Sequence, residues 1–275
     1  MRTSSSAPAR SVRSVGDIAA ALARPVRTLH AGPRDAVVVT PRSARVDLGG
    51  AVVRQTDPTT CGSTALLMLA ATGDPVLARW LETGSLPEDL RVDRLPPEIP
   101  PAALGRNLGA SGRIAAAQRH IHARTSADAV GPFAWPRRFG TPPWTAAREA
   151  RFPGVRYVQR PVDDRGEAGR AMVAQVLNAL ARGYPVLLFT GGNVGQGVVR
   201  ALPRHVVLAV PTPTRRVTAA GAEVISVFEP SEGVVHEVVA DELRDRTTPH
   251  RALGSWTHVQ WVALPVPDTT EKRHR

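Results

Sequence analysis

Long apolar runs occur in two regions of the chain, at residues 61–72 and again from about 170 to 264. The first run, Cys61 to Thr72, contains helix-forming residues and is apolar on nearly all sides. Capping candidates precede it at Asp57, Thr59 and Thr60, and Gly73-Asp74-Pro75 follows it as a stop signal. The pattern predicts a buried helix whose polar N-terminus opens into a cleft.

The second region begins with a helical pattern, since Glu167 to Arg182 carries apolar residues at helical spacing and Gly183 closes it. The apolar stripe of this helix is expected to pack on a sheet. Strand-like runs follow at 183–188, 205–210, 224–228 and 256–264. The last run alternates in part, as an antiparallel strand with one solvated or helix-covered face does.

Cys61, the only cysteine of the chain, is expected in the first turn of the first helix. Unpaired N–H groups and the positive end of the helix dipole favour a thiolate there, which lowers the pKa from its free value of about 8.5. Gln55 can aim its amide at the same point as the Cys61 backbone N–H, and two such donors form an oxyanion hole. Because a lone cysteine is more often an inert buried residue, a catalytic interpretation requires a base and an orienting group.

His205 is the candidate base among the eight histidines, because it opens the strand-like run 205–210 directly after a loop. The next long apolar run ends in Glu229-Pro230. Adjacent antiparallel strands would bring Glu229 near His205. The carboxylate could then fix the tautomer and the orientation in which the other ring nitrogen faces Cys61.

The order Gln, Cys, His, acid resembles that of the papain-like cysteine peptidases. Within them it is similar to the bacterial branch that includes the double-glycine leader peptidases of bacteriocin exporters. The matching pieces are Gln55 and Cys61-Gly62, the buried helix after them, the runs 183–188 and 205–207, and the acid-proline pair at 229 and 230. The resemblance covers roughly residues 50–75 and 170–265.

The resemblance implies an α+β, papain-like fold in which a buried helix carrying the nucleophile packs on an antiparallel sheet carrying histidine and acid. It implies Cys61 as nucleophile, His205 as general base and acid, Gln55 as oxyanion donor and Glu229 as orienting acid. The reaction implied is acyl transfer through a thioester at Cys61, with hydrolysis of a peptide or isopeptide bond in a peptide or protein substrate. No cofactor and no metal are implied.

Two features depart from the family pattern. The family usually has Asp or Asn where this chain has Glu229, and one extra methylene changes the reach of the acid. Cys61 and His205 are also further apart than this branch usually needs, so the segment from about 76 to 165 is interpreted as an insertion. The segment contains features typical of a substrate groove or lid, namely Trp135, Trp144, Pro96-Pro97, Pro142-Pro143 and Gly140 as a pivot. A surface elaboration is the alternative interpretation.

Two other functions stay open on the sequence. The long insertion and Glu229 are compatible with a catalytically inactive papain-like module that binds peptides. Amide or acyl transfer is the other alternative, since transglutaminases and arylamine acetyltransferases use the same Cys-His-acid order. A reactive thiol separates the binding module from the two enzymes.

The net charge of +11 raises the question of nucleic-acid binding. The positive charge comes almost wholly from scattered arginines, and aromatic residues make up only 4% of the chain, too few for a base-stacking surface. We therefore expect no dedicated nucleic-acid binding. A basic cleft for an acidic peptide or carrier protein stays open.

Segment boundaries follow from composition. We expect a disordered or loosely held N-terminal segment at 1–35, a catalytic domain at 36–265 and a C-terminal tail at 266–275. The glycine-rich stretch 191–197 is expected to be a mobile loop leading to His205. No apolar stretch approaches the length of a membrane span and a single cysteine forms no internal disulfide, so we expect a cytoplasmic location without membrane association. The sequence predicts no oligomeric state.

Overall fold

The computed structural model describes residues 35–193 and 202–268. Nearly all of the N-terminal segment expected to be loosely held therefore lies outside the described residues. The same holds for positions 194–197 of the expected mobile loop and for the tail from residue 269. The remaining residues form a mixed α+β fold with one large sheet.

Five helices are present in the described part of the chain. They are α1 (Cys61–Gly73), α2 (Pro75–Thr83), α3 (Ala110–Ser126), α4 (Pro143–Glu149) and α5 (Gly166–Ala181). Short 3-10 helices occur at Val92–Arg94, Pro101–Ala103, Arg137–Phe139, Ala240–Leu243 and Arg251–Leu253. The two helices predicted from periodicity, at 61–72 and 167–182, correspond to α1 and α5 with ends that differ by one residue.

Eleven strands accompany the helices in the described residues. They are β1 (Ala36–Val38), β2 (Ser43–Arg45), β3 (Asp47–Leu48), β4 (Ala51–Val52), β5 (Val155–Pro161), β6 (Val186–Gly191), β7 (His205–Val210), β8 (Arg215–Val217), β9 (Glu223–Glu229), β10 (Val234–Val239) and β11 (His258–Pro267). The main sheet has the order β1-β8-β9-β7-β6-β11-β5, and β10 pairs with both β9 and β2. All of these pairs are antiparallel except β1 with β8, so the sheet is mixed rather than purely antiparallel.

The central strands are covered on both faces. Along β6, Leu187 and Phe189 belong to the same buried cluster as the apolar residues of α1, whereas Val186 and Leu188 belong to the cluster of α5. This alternation follows from the two-residue period of a strand. The sheet is thus a middle layer between α1 and α5, and a strand buried on both faces explains the continuous apolar sequence of β6 and β7.

The segment from 76 to 165 shares the core of α1. Leu77, Leu81 and Ile114 are buried in the same cluster as the apolar face of α1, and α2, α3 and α4 all pack against that helix. The segment ends in β5, which forms an edge of the main sheet by pairing with β11. This pairing also carries β11 to Pro267, two residues into the stretch expected as a tail.

No single helix in the described ranges is long and apolar enough to span a membrane. The pair α1 and α2 reaches that length and composition together, but the two helices are bent by 115°. Most residues of α1 are buried in the core.

Candidate functional site

Cys61 is the first residue of α1, as predicted. The capping pattern differs from the prediction, because Thr60 occupies the N-cap position without capping the helix through its side chain. Its hydroxyl oxygen instead accepts hydrogen bonds from the backbone N–H groups of Thr56 and Asp57, each at 3.1 Å. The buried Thr60 therefore closes the preceding loop and leaves the first N–H groups of α1 without a side-chain cap.

His205 and Glu229 meet through strand pairing. His205 is the first residue of β7 and Glu229 is the last residue of β9, and the two strands are antiparallel neighbours. His205 Nε2 lies 2.6 Å from Glu229 Oε1. Both side chains are buried, with exposed fractions of 6% and 2%. The contact that the sequence predicted between base and acid is present.

Cys61 lies next to this pair, since the charge and hydrogen bonding of the His205 side chain lower the pKa of its thiol. Because Nε2 of the imidazole is engaged by Glu229, Nδ1 is the nitrogen left to face the sulfur. Hydrogen bonding from the backbone N–H groups of Gly62 and Val206 also lowers the pKa of the thiol. Groups on its own helix and on β7 therefore both favour the thiolate of Cys61.

Burial and charge act in opposite directions on Cys61. Burial raises the pKa of the thiol, but the attraction and hydrogen bond of His205 and the two backbone donors outweigh it and lower the pKa. Burial likewise lowers the pKa of His205, but the contacts with Cys61 and then Glu229 raise it to about 9. Each member of the pair stabilises the charged form of the other, so the geometry favours a thiolate and an imidazolium.

Glu229 is fixed by its own turn as well as by His205. Its Oε1 accepts from the backbone N–H of Ser231 at 2.9 Å, and its Oε2 accepts from that of Glu232 at 2.8 Å. Burial raises the pKa of this carboxyl, but the hydrogen bond and charge of His205, followed by these two N–H groups, lower it. The glutamate is thus long enough to bond its own turn and the base at once.

Gln55 lies beside this turn. Its backbone N–H donates to the carbonyl of Pro230 at 2.8 Å, and its side-chain Oε1 accepts from the Ser231 hydroxyl at 3.2 Å. The side-chain amide nitrogen has no hydrogen-bond partner among the described residues. The loop after Gln55 folds back so that Thr56 contacts Thr60, the residue directly before Cys61. The residue after Gln55 is thus tied to the residue before α1.

Gln118 on α3 was not predicted as part of the site. Its Nε2 donates to the carbonyl of Arg54 at 2.8 Å, and its Oε1 accepts from the N–H of Thr56 at 3.1 Å. The side chain is completely buried and binds the backbone on both sides of Gln55. A polar residue on the apolar face formed by Ile114, Ala117 and Ile121 was the available sequence signal.

Two segments pack on the start of α1 and on the His205 ring. Thr141 packs on the start of α1, where a Cβ added to Gly62 would lie 2.5 Å from the Thr141 Cβ. Gly254 packs on the His205 ring in the same way. Only 2% of Cys61, which lies between Gly62 and the contacts of His205, is exposed. The two segments are distant from each other in sequence.

An open groove lies beside Gln55. It has a volume of about 560 Å³ and is lined by residues that include Val52, Arg54, Gln55, Asp57, Ile114 and Ser231. Cys61, His205 and Glu229 are not among its lining residues. Ile114 belongs to α3, so the segment at 76–165 contributes one wall of the groove.

The aromatic residues expected near a groove or lid are close to Thr141. Trp135 and Trp144 contact each other edge to face, with ring centroids 5.4 Å apart, and Trp135 also contacts Phe139. Gly140, the expected pivot, has φ 70° and ψ −149°, a conformation that essentially only glycine adopts. The cluster leads directly into the segment that covers α1, and its movement stays a prediction.

No protein-family model matches this chain, and no curated protein matches it at a significant level. Within residues 35–193 and 202–268, no group of three or more His, Cys, Asp or Glu side chains is arranged to hold a metal ion. The geometry of Cys61, His205, Glu229 and Gln55 is therefore the available guide to function.

Proposed function

We propose that this protein is a papain-like cysteine peptidase that hydrolyses a peptide or isopeptide bond through a thioester at Cys61. The observation that carries the proposal is the buried series Cys61, His205 and Glu229, in which His205 Nε2 lies 2.6 Å from Glu229 Oε1 and His205 lowers the pKa of the Cys61 thiol. A nucleophile, a base and an orienting acid in this relation are what activation of a thiol requires.

The reaction proceeds in two steps. The Cys61 thiolate attacks the carbonyl carbon of the substrate, and the oxyanion accepts hydrogen bonds from the Cys61 N–H and the Gln55 amide. The His205 imidazolium gives its proton to the leaving amine, which leaves an acyl group on the sulfur. Neutral His205 then takes a proton from water, and the resulting attack releases the carboxylic acid and restores the thiolate.

Glu229 supports both steps without touching the substrate. It holds Nε2 of His205 and leaves Nδ1 toward the sulfur, while its negative charge stabilises the imidazolium. A single catalytic thiol is most readily kept reduced in the cytoplasm, so that location is part of the proposal.

The experiment is labelling of Cys61 with an electrophilic activity probe in source lysate, followed by mass spectrometry of captured peptides. Cys61→Ala should fold normally and lose all labelling and all turnover of any substrate identified. Circular dichroism and thermal unfolding provide the control for folding. Turnover by the Cys61→Ala protein at the wild-type rate would exclude Cys61 as the nucleophile.

A peptide-binding module without activity is the second candidate, favoured by the enclosure of the nucleophile. With Cys61 2% exposed, a substrate carbonyl reaches the sulfur only after Thr141 or another covering residue moves. Reactivity separates the two functions, because a binding module has no need for a thiolate near neutral pH. A folded protein whose Cys61 resists both acylation and alkylation supports the binding module.

A further inference from the structure

We propose that Gln118 and Ser231 are positioning residues that hold Gln55 as an oxyanion donor. The inference rests on the proposed function and assigns a role to two residues outside the Cys-His-Glu triad. It also links the segment at 76–165 to the reaction, because Gln118 is carried by α3 of that segment.

Gln118 controls the backbone of Gln55. Its carboxamide bonds the carbonyl before Gln55 and the N–H after it, at 2.8 and 3.1 Å. No part of the Gln118 side chain is exposed, so water does not compete for these bonds. A paired donor and acceptor on the two flanking residues fix the direction in which the Gln55 side chain leaves the loop.

Ser231 controls the carboxamide itself. Its hydroxyl donates to Oε1 of Gln55 at 3.2 Å, so the carbonyl end faces Ser231 and the amide nitrogen faces away from it. The backbone N–H of the same serine donates to Glu229 Oε1, which is the oxygen that His205 contacts. One residue therefore sets the position of the oxyanion donor relative to the base.

These contacts are expected to affect catalysis because a flexible glutamine side chain contributes to an oxyanion hole only when it is held in place beforehand. A free carboxamide would exchange among rotamers and turn its oxygen as often as its nitrogen toward the oxyanion. The two positioning residues remove that freedom, one at the backbone and one at the end of the side chain.

The test compares two reagents that modify the same sulfur. In p-nitrophenyl acetate, a new S–C bond forms at the carbonyl carbon, an oxyanion develops, and p-nitrophenolate leaves as the thioester forms. In iodoacetamide, the sulfur displaces iodide directly and no oxyanion develops. Because Cys61 is the only cysteine, the ratio of the acetylation rate to the alkylation rate reports the oxyanion donors independently of thiolate formation.

Ser231→Val and Ser231→Thr form a matched pair, since the two side chains have the same shape and differ in the hydroxyl. We expect the Val variant to lower the ratio by about tenfold, a part of the ~10²–10³-fold effect of a complete oxyanion donor. We expect the Thr variant to keep the ratio within about twofold of wild type, because it retains the donor. The backbone bond to Glu229 is present in both.

Gln118→Met tests the other contact with a side chain of similar length that lacks both bonds. The ratio should again fall by about tenfold, while the alkylation rate confirms that the thiolate and the fold are intact. In a Gln55→Ala background, neither Ser231→Val nor Gln118→Met should lower the ratio further, because the residue they hold is absent. Additive losses would show a general structural role instead.

The outcomes distinguish this inference from the proposed function. A wild-type Cys61 that is acetylated no faster than the unfolded chain contradicts the proposed function itself. Rapid acetylation of wild type, a slower rate in Gln55→Ala and a wild-type ratio in either Ser231→Val or Gln118→Met overturn the positioning role alone. An unchanged ratio in Gln55→Ala overturns it as well, since there is then no donor to position.

Discussion

Gly254 lies directly against the imidazole of His205. A Cβ built on Gly254 would fall 2.2 Å from Cδ2 and 2.5 Å from Nε2 of the ring, closer than carbon atoms approach in proteins. Nε2 is the ring nitrogen that contacts Glu229. The absence of a side chain at residue 254 therefore allows the His205 ring to occupy its observed position. Gly254 also has a left-handed backbone conformation, with φ +65°.

Gly254→Ala is expected to displace His205 and to slow acetylation of Cys61 by at least about tenfold. The matched control is Gly105→Ala, because Gly105 has a similar φ of +69° and nothing within 4 Å of its added Cβ. Left-handed backbone strain should lower the free energy of unfolding of both variants by roughly 1–2 kcal/mol. The clash with His205 should lower it further in Gly254→Ala alone. Rapid-mixing measurements of acetylation and urea unfolding test this, and equal acetylation rates in the two variants would contradict it.

The Cys61 and His205 pair sets the pH dependence of alkylation. The lowered pKa of Cys61 keeps the thiolate as pH falls, and the pKa of His205 of about 9 keeps the imidazolium as pH rises. The ion pair therefore exists between these two limits. Iodoacetamide should alkylate Cys61 rapidly at pH ~6, where a free thiol of pKa ~8.5 is under 1% ionised.

His205→Ala removes the positive partner, so the pH midpoint of alkylation should rise toward the free value. The backbone donors and the helix dipole should retain part of the lowering. A pH series of alkylation rates for wild type, His205→Ala and unfolded protein provides the measurement. Wild-type rates that follow those of the unfolded chain would falsify the ion pair.

Glu229→Gln keeps the shape of the side chain and removes its charge. Because Glu229 contributes to the raised pKa of His205, that pKa should fall in the variant. The pH range in which thiolate and imidazolium coexist should then end at a lower pH. Acetylation should slow less than in His205→Ala, where loss of the base is expected to lower the rate on the order of 10²–10⁴-fold. The same pH series measures both effects. Equal losses in the two variants would mean that Glu229 mainly holds the fold.

Glu229→Asp tests the reach of the acid. The shorter side chain cannot bond the N–H groups of Ser231 and Glu232 and also stay within 2.6 Å of His205 Nε2 without a backbone shift. We expect an acetylation rate between those of wild type and Glu229→Gln. A fully active aspartate variant would show that the turn moves to follow the side chain.

Gly62→Ala tests whether Thr141 packs tightly on the nucleophile helix. Gly62 is the second residue of α1, where alanine is favoured over glycine by less than the ~1 kcal/mol of a helix interior. The added Cβ would lie 2.5 Å from the Thr141 Cβ. We expect overpacking against Thr141 to outweigh the helix preference of alanine, so that the variant has a free energy of unfolding lower by about 1–3 kcal/mol. Urea unfolding measures the change.

The controls for Gly62→Ala use the same chemistry without the clash. Gly112→Ala in α3 places its Cβ no closer than 3.5 Å to Leu108 and should be neutral or stabilising. Gly62→Ala combined with Thr141→Gly should be more stable than Thr141→Gly alone, because the space is then open. A destabilising effect of Gly62→Ala in both backgrounds would rule out the contact as its cause.

The sequence by itself determined the elements that local signals specify. The start of α1 at Cys61 and its end before Asp74 follow from an apolar run and a Gly-Asp-Pro stop, and α5 follows from helical spacing between Glu167 and Arg182. The mixed α+β class and the meeting of His205 with Glu229 were also predictable. Two neighbouring antiparallel strands with polar ends leave few other arrangements for these residues.

The tertiary structure alone decided which distant residues support the site. Gln118 and Arg54 are 64 positions apart, and Gly254 and Thr141 reach the site from separate segments. Thr60 was a candidate helix cap, but in the structure its hydroxyl oxygen accepts hydrogen bonds from the loop before it. Helix and strand signals depend on residues that are close in sequence, whereas these contacts depend on how the helices pack on the sheet. Periodicity and capping patterns therefore do not predict them.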